Sequence, residues 1–293
     1  MIRSFRKVYP MTYLVPALFI YLLLFILPSG FGMFYAFTDW NARNLHTFSM
    51  IGFDNFVEIF TNSDLTLGLW NTLYFSVVTV VFKNLVGLGL ALLANHESVL
   101  SKYYARGAFY MPNFLNMVIV GVMATAILYP TGPFNALLES VGLGALTRDW
   151  LNDKSVAMAS VCAVDVWRSA GFHMVIYMAA LKSVSSEFYD ASKIDGANAW
   201  QRFKNITLPL ISQGITINLI FSIIAGLKVF DQVYILTNGG PGNYTQVVST
   251  MIYKMFGRGQ WGLGTAYNLV LTLAILAICA FVLFFNRKEV EYN

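Results

Sequence analysis

Long apolar runs alternate with shorter polar intervals along the whole chain. The runs cover about residues 11–37, 71–94, 108–129, 156–180, 210–236 and 263–285. Each matches the roughly 20 residues that a helix needs to cross a hydrocarbon core. The pattern predicts an all-α integral membrane protein with six transmembrane helices. The first run is too long for a signal-peptide core and lacks a small-x-small cleavage site, so it is expected to remain as a span. Residues 39–70 are mixed, with a short amphipathic piece at 53–60. Pro130-Thr131-Gly132-Pro133 stops the third span, 134–154 reads as a soluble loop, and the turn signal at 238–242 ends the fifth. The expected organisation is a lead, first helix and outer loop (1–70), a five-helix core (71–286) and a tail (287–293).

The longest polar interval is 186–209, SEFYDASKIDGANAWQRFKNITLP. It reads as two short helices hinged at Gly196. Phe188, Ala191 and Ile194 fall three apart on one face of the first, and Ala199, Trp200, Phe203 and Ile206 repeat at helical spacing on the second. Thr207 is expected to cap the next helix, with Pro209 in its first turn. A loop this amphipathic suits a docking surface, the bland alternative being a helix lying on the headgroups.

Charge gives the loop a side. Six spans put both termini together, and with them fall eleven of the 19 Lys and Arg, including Arg3, Arg6, Lys7, Lys102, Arg106, Lys182, Lys193, Arg202, Lys204, Arg287 and Lys288. Five lie on the other side, and Lys83, Arg168 and Lys228 within spans. The positive-inside bias then places both termini and the 183–207 loop in the cytoplasm.

Composition agrees. Of 293 residues 57% are hydrophobic and only 12% charged, far below a soluble domain. A net charge of +4, spread out, does not suggest nucleic acid. Cys162 and Cys279 lie in apolar runs and read as packing residues, while His46, His96 and His173 have no ligand spacing, so no metal site is expected. No Gly-Lys-Ser or Gly-Lys-Thr occurs, so any ATP must be bound by a separate chain.

The 186–209 stretch resembles the cytoplasmic loop of bacterial ABC importer permeases: E-A-A, a glycine four residues on, nine residues, then I-x-L-P. Here Asp190-Ala191-Ser192, Gly196 and Ile206-Thr207-Leu208-Pro209 keep every spacing, with Asp for Glu and Ser for the second Ala. Asp195-Gly196-Ala197, Trp200 and Phe203 match the extended form of the carbohydrate-uptake branch. The string from Phe230 and Asp231 through Tyr234, Leu236, Thr237, Gly239, Gly240 and Pro241 to Thr245 resembles the fifth-span exit of sugar permeases, first-subunit variant, of the maltose and glycerol-3-phosphate type. The resemblance implies a type I ABC importer permease in a bacterial cell membrane. Its partners would be a second six-helix permease forming a heterodimer, two ATPase subunits, an extracytoplasmic sugar-binding protein and a saccharide. This chain would bind no cofactor, ATP and Mg residing on the ATPase. Trp200, Phe203 and Ile206 would anchor the loop there.

Ionisable residues inside spans are functional candidates by default. Asp165 and Arg168 lie roughly 15 Å into the fourth span at 1.5 Å per residue, near mid-bilayer. They read either as a structural pairing of Asp165 with Arg168 or Lys83, or as a wet cavity where Trp167 and Arg168 meet polar cargo; proton relay is a third reading. On the fifth span Asn218, Ser222, Ala225 and Gly226 form a small, polar stripe continued by Lys228, Asp231 and Gln232. It suits helix packing, with Lys228 and Asp231 as an i, i+3 pair, or a sugar pathway with Phe221, Phe230 and Tyr234 as stacking faces. Asn113 and Asn116 are lesser candidates, and Met111, Met117 and Met123 read as packing. The alternative function, a proton- or ion-coupled secondary transporter of polar solutes, would call for an inverted repeat and broken helices, neither of which is visible in the sequence. A membrane enzyme would need a catalytic cluster at the membrane face; none is evident.

Overall fold

The computed structural model describes residues 11–95 and 102–286; the basic lead, His96 and the tail with Arg287 and Lys288 lie outside them. The described residues are helical apart from connecting turns and one isolated bridge between Thr38 and Met50. Among the described residues, four helical stretches are long and apolar enough to cross a membrane: Thr12–Tyr35, Ser63–Asn95, Met117–Ser140 (two helices joined at 129–132) and Trp261–Phe285. A bent pair, Ala199–Leu210 and Ser212–Leu227 at 69°, makes a fifth candidate. The 26-residue helix Ala157–Lys182 is long enough but carries Asp165 and Arg168.

In chain order the helices are α1 (Thr12–Tyr35), α2 (Asp54–Thr61), α3 (Ser63–Asn95), α4 (Lys102–Phe114), α5 (Met117–Leu128), α6 (Pro133–Ser140) and α7 (Ala157–Lys182). After them come α8 (Ser186–Ile194), α9 (Ala199–Leu210), α10 (Ser212–Leu227), α11 (Asp231–Leu236), α12 (Val248–Gly257) and α13 (Trp261–Asn286). Contacts divide the chain into two units, Met1–Asn62 with Met251–Val270, and Ser63–Thr250 with Leu271–Asn293.

In the first unit, the Asn55 amide reaches back from α2 and donates to the carbonyls of Ala36 and Thr38, each at 2.9 Å. Tyr35 stacks on Trp40 at 4.2 Å, and Trp40 meets Trp261 at 4.8 Å. Gly262 is required here, because a Cβ would strike the Thr38 carbonyl while its N–H donates to Trp40 O at 2.7 Å. Asn55 is buried, so Asn55→Ala strands two carbonyls. It is expected to cost about 1–3 kcal/mol, read as a lowered midpoint of thermal unfolding.

In the second unit, α3, α7 and α10 pack side by side, with α4 against α7 and α11 against α5 and α7. Two apolar clusters hold them. One gathers Phe75, Met117, Val120, Val161, Cys162, Val229 and Val233. The other gathers Ala91, Met174, Tyr177, Leu181 and Ile211.

Two of the apolar runs are not single helices. The third breaks at Leu115–Asn116: Pro112 removes a backbone donor from the last turn of α4, and Asn116 turns extended (ψ 139°) and caps α5 through its side chain, accepting from Val118 N at 2.9 Å. The fifth breaks between Leu227 and Asp231, where Phe230 leaves the helical region at φ −137°. Broken helices, not expected from the sequence, are therefore present. Thr207 does not cap a new helix either. It sits in a π-turn, Phe203–Thr207, that lets α9 run on through Pro209 before the bend at Ile211. Residues 134–154 are also more ordered than a loop: α6 starts on Pro133, a first-turn proline, and the buried Asn135 side chain bonds Pro130 O, Arg148 O and the Trp150 indole at 2.7–2.9 Å.

Candidate functional site

The 183–207 loop is built from local signals that agree with one another. Ser185 turns extended and its hydroxyl accepts from Glu187 N at 3.3 Å, capping α8. At the other end Ala197 N bonds Ser192 O at 2.9 Å and Gly196 N bonds Lys193 O at 3.1 Å, with Gly196 at φ +76°. That is a Schellman motif, and its left-handed position strongly favours glycine. Asn198 then opens α9 with a reciprocal capping box: Gln201 N to Asn198 Oδ1 at 2.9 Å, and Asn198 N to Gln201 Oε1 at 2.8 Å. The Tyr189 and Thr207 hydroxyls, 3.1 Å apart, tie the two helices together.

What the loop presents outward is apolar. Ile194 is 87% exposed, Trp200 67% and Phe188 52%, with Ala191, Asp190, Asp195 and Gly196 exposed beside them. Phe203 and Ile206, expected as anchors with Trp200, are half-buried, and Phe203 packs against Trp200 at 5.7 Å. Ser192 is buried, donating to Tyr189 O at 2.8 Å; Ala197 and Leu208 are half-buried, and Pro209 exposed. Beneath the loop, Leu181 at the end of α7 and Ile211 at the α9–α10 bend share one apolar cluster. A load on the loop therefore bears on both helices.

Between the two apolar clusters lies a buried polar layer. Lys83 on α3 pairs with Asp165 on α7 at 2.6 Å, both at most 2% exposed. The other Asp165 oxygen accepts from Gln232 on α11 at 2.8 Å and from Ser169 at 3.3 Å. Asn84 bridges α3 to α10 and α7, donating to Ser222 at 3.0 Å and accepting from the Tyr177 hydroxyl at 2.6 Å. His173 Nδ1 lies 2.9 Å from Asn218 Oδ1, and the Asn218 amide donates to His173 O at 3.3 Å. Close approach makes this layer possible: a Cβ on Gly226 would strike Ser76, one on Gly87 His173, and one on Gly171 the Phe109 carbonyl.

Of the two pairings open to Asp165, the structure takes Lys83. Arg168 instead donates from Nε to Leu115 O at 3.4 Å. Asn218 and Ser222 are fully buried in helix contacts. Trp167 faces an apolar groove of about 610 Å³ lined by Val120, Met123, Phe134, Trp150 and Val164. Lys228 and Asp231 form no ion pair among the described residues, because the helix that would set them three apart is broken between them. Asn116, Phe221, Lys228, Asp231 and Tyr234 keep exposed surface, and Arg168 is half-exposed. Asn84, His173 and Tyr177 were not singled out from sequence as site residues; Ile194 was placed on the apolar face of the first loop helix but not among the anchors. An Asn inside an apolar span was the available signal for Asn84.

A family model described as "Binding-protein-dependent transport system inner membrane component" matches residues 83–288. The chain is 32% identical over 281 residues to the "Probable starch degradation products transport system permease protein AmyD" of Thermoanaerobacterium thermosulfurigenes, covering 95% of this chain and 94% of that one. It is 32% identical over 294 residues to the "Diacetylchitobiose uptake system permease protein NgcF" of Streptomyces coelicolor, covering 96% and 83%. Among solved structures, a chain of a bacterial alginate ABC transporter, in complex with an alginate pentasaccharide-bound periplasmic protein, superposes with a TM-score of 0.82 at 25% identity, covering 98% of this chain and 96% of that one.

Proposed function

We propose a function from a fixed premise: the chain belongs to the binding-protein-dependent transport system inner membrane component family. It is a membrane permease subunit of an ABC importer. Its cargo, in our reading, is a saccharide, most simply an oligosaccharide, as the names of its relatives suggest. Six spans are formed by α1, α3, α4 with α5, α7, α10 with α11, and α13, with both termini in the cytoplasm. Residues 71–286 form the permease core. A similar second permease completes the pathway, two ATPase subunits bind the ATP and Mg, and an extracytoplasmic binding protein delivers the sugar. This chain binds no cofactor itself.

The observation that carries the reading is the loop. A doubly capped helix pair that exposes Phe188, Ile194 and Trp200, and is seated on the ends of α7 and α10, is a stiff lever with an apolar tip. Asp190 to Ala197, with Trp200, Phe203, Ile206, Leu208 and Pro209, form the coupling element that a separate ATPase grips. Arg168, Asn116, Phe221, Lys228, Asp231 and Tyr234 line the pathway. Asn218 and Ser222 support it from behind, and Trp167 closes its apolar side.

Large aromatic and aliphatic tips at the centre of such a contact act as hot spots, each worth about 2 kcal/mol or more. Ile194→Asp and Trp200→Ala are therefore expected to strip the ATPase subunits from the purified permease pair, seen by co-purification. Retention of both subunits at wild-type ratio would exclude this loop as the grip. Broken helices are also a feature of secondary transporters, and that rival reading predicts uptake that needs an ion gradient and no ATP.

A further inference from the structure

The two breaks inside the third and fifth apolar runs, at 115–116 and 228–230, both meet the middle of α7. Arg168 Nε donates to the carbonyl of Leu115, at the first break. Asp165 accepts from Gln232, in the first turn after the second break. Asp165 and Arg168 are three residues apart, so they lie on one face of the helix. The remaining Asp165 oxygen is held by Lys83. The bond from Gln232 satisfies the second oxygen of a buried carboxylate and, because Gln232 stands at the break, it also ties that break to α7.

A break leaves backbone groups without their helical partners and makes a soft point in a span. Four of the six groups assigned above to the pathway lining sit at these soft points: Asn116 at the first, and Lys228, Asp231 and Tyr234 around the second. We propose that Asp165 and Arg168 are positioning residues that fasten the two breaks to α7, with Lys83 as the counter-ion of the first. Charge in the middle of α7 then sets the shape of the pathway, and Lys83 and Asp165 stay out of contact with cargo. The significance of that shape rests on the pathway reading; the fastening itself does not.

The test measures shape without cargo. Val118→Cys and Asp231→Cys, both exposed positions, would carry nitroxide labels in a Cys162→Ala/Cys279→Ala background. The distance between them would be taken by pulsed electron resonance on the assembled complex in lipid nanodiscs. The parent should give one narrow distribution. Lys83→Leu/Asp165→Leu replaces the pair by apolar side chains, a change that assembly tolerates elsewhere; here the distribution should broaden or split. Lys83→Leu/Asp165→Asn keeps an acceptor for Gln232 and should stay narrow, whereas Arg168→Met should broaden. A narrow, unshifted distribution in the Leu/Leu variant would overturn the proposal. If that variant does not assemble, Gln232→Leu removes only the α11 bond, with the same two outcomes. No saccharide is used, so failure here leaves the transport reading standing, and failure of transport leaves this one standing.

Discussion

Gly196→Pro is expected to leave the complex in the membrane but to bring its saccharide-stimulated ATPase activity down to the basal rate. Gly196 sits at φ +76°, and proline is locked near −65°. The substitution also removes the N–H that bonds Lys193 O at 3.1 Å. The Schellman closure of α8 is lost, and the capping box two residues on loses its entry direction. On the proposed coupling, the lever then bends where it would transmit. Gly196→Ala provides the graded control: nothing lies within 4 Å of the added Cβ, so only the left-handed backbone is penalised, by about 1–2 kcal/mol. Coupling should weaken and survive. A charge at exposed Ala191, as in Ala191→Glu, should uncouple with the backbone intact. Stimulated ATPase and uptake are measured together in proteoliposomes, and full stimulation in the proline variant would show that the loop does not carry the stroke.

Lys83→Leu should be the most damaging single change to stability. It leaves the Asp165 carboxylate 1% exposed with its ion-pair partner gone. Removing one partner of a buried pair costs about 3–5 kcal/mol, because the other charge stays desolvated. Adding Asp165→Leu should restore most of that loss, since two charges no longer have to be buried. Thermal unfolding of the detergent-purified complex reads both. A double variant no more stable than Lys83→Leu would mean that the carboxylate's bonds to Gln232 and Ser169 outweigh its charge.

These two sites differ in how far the sequence revealed them. The form of the 183–207 loop, two short helices hinged at Gly196, was legible because its period and its glycine are local signals; the caps that fix it, Ser185 and the Asn198–Gln201 box, are equally local but lie outside that pattern. The polar layer was not, because its choices are tertiary. Sequence spacing offered Asp165 an Arg three residues away, yet the carboxylate pairs with Lys83 on another helix, and Arg168 goes to a carbonyl freed by a break. The stripe of Asn218, Ser222 and Gly226 was visible at helical period, but period alone does not tell which face is buried. The breaks themselves sit inside apolar runs, where Asn116 as a cap and Phe230 as a departure from the helix carry little compositional contrast. The i, i+3 reading of Lys228 and Asp231 fails for the same reason: it assumed a continuous helix.

The most direct measurement of the central claim is saccharide uptake into proteoliposomes that hold this chain with its partner permease and ATPase, with the loaded binding protein outside. Neutral malto-oligosaccharides and uronate oligosaccharides would be compared, with and without internal ATP. Uptake of at least one saccharide that requires ATP and persists when ion gradients are collapsed is the predicted result. Uptake that follows the gradient and ignores ATP, or no uptake of any saccharide with the binding protein loaded, would contradict it.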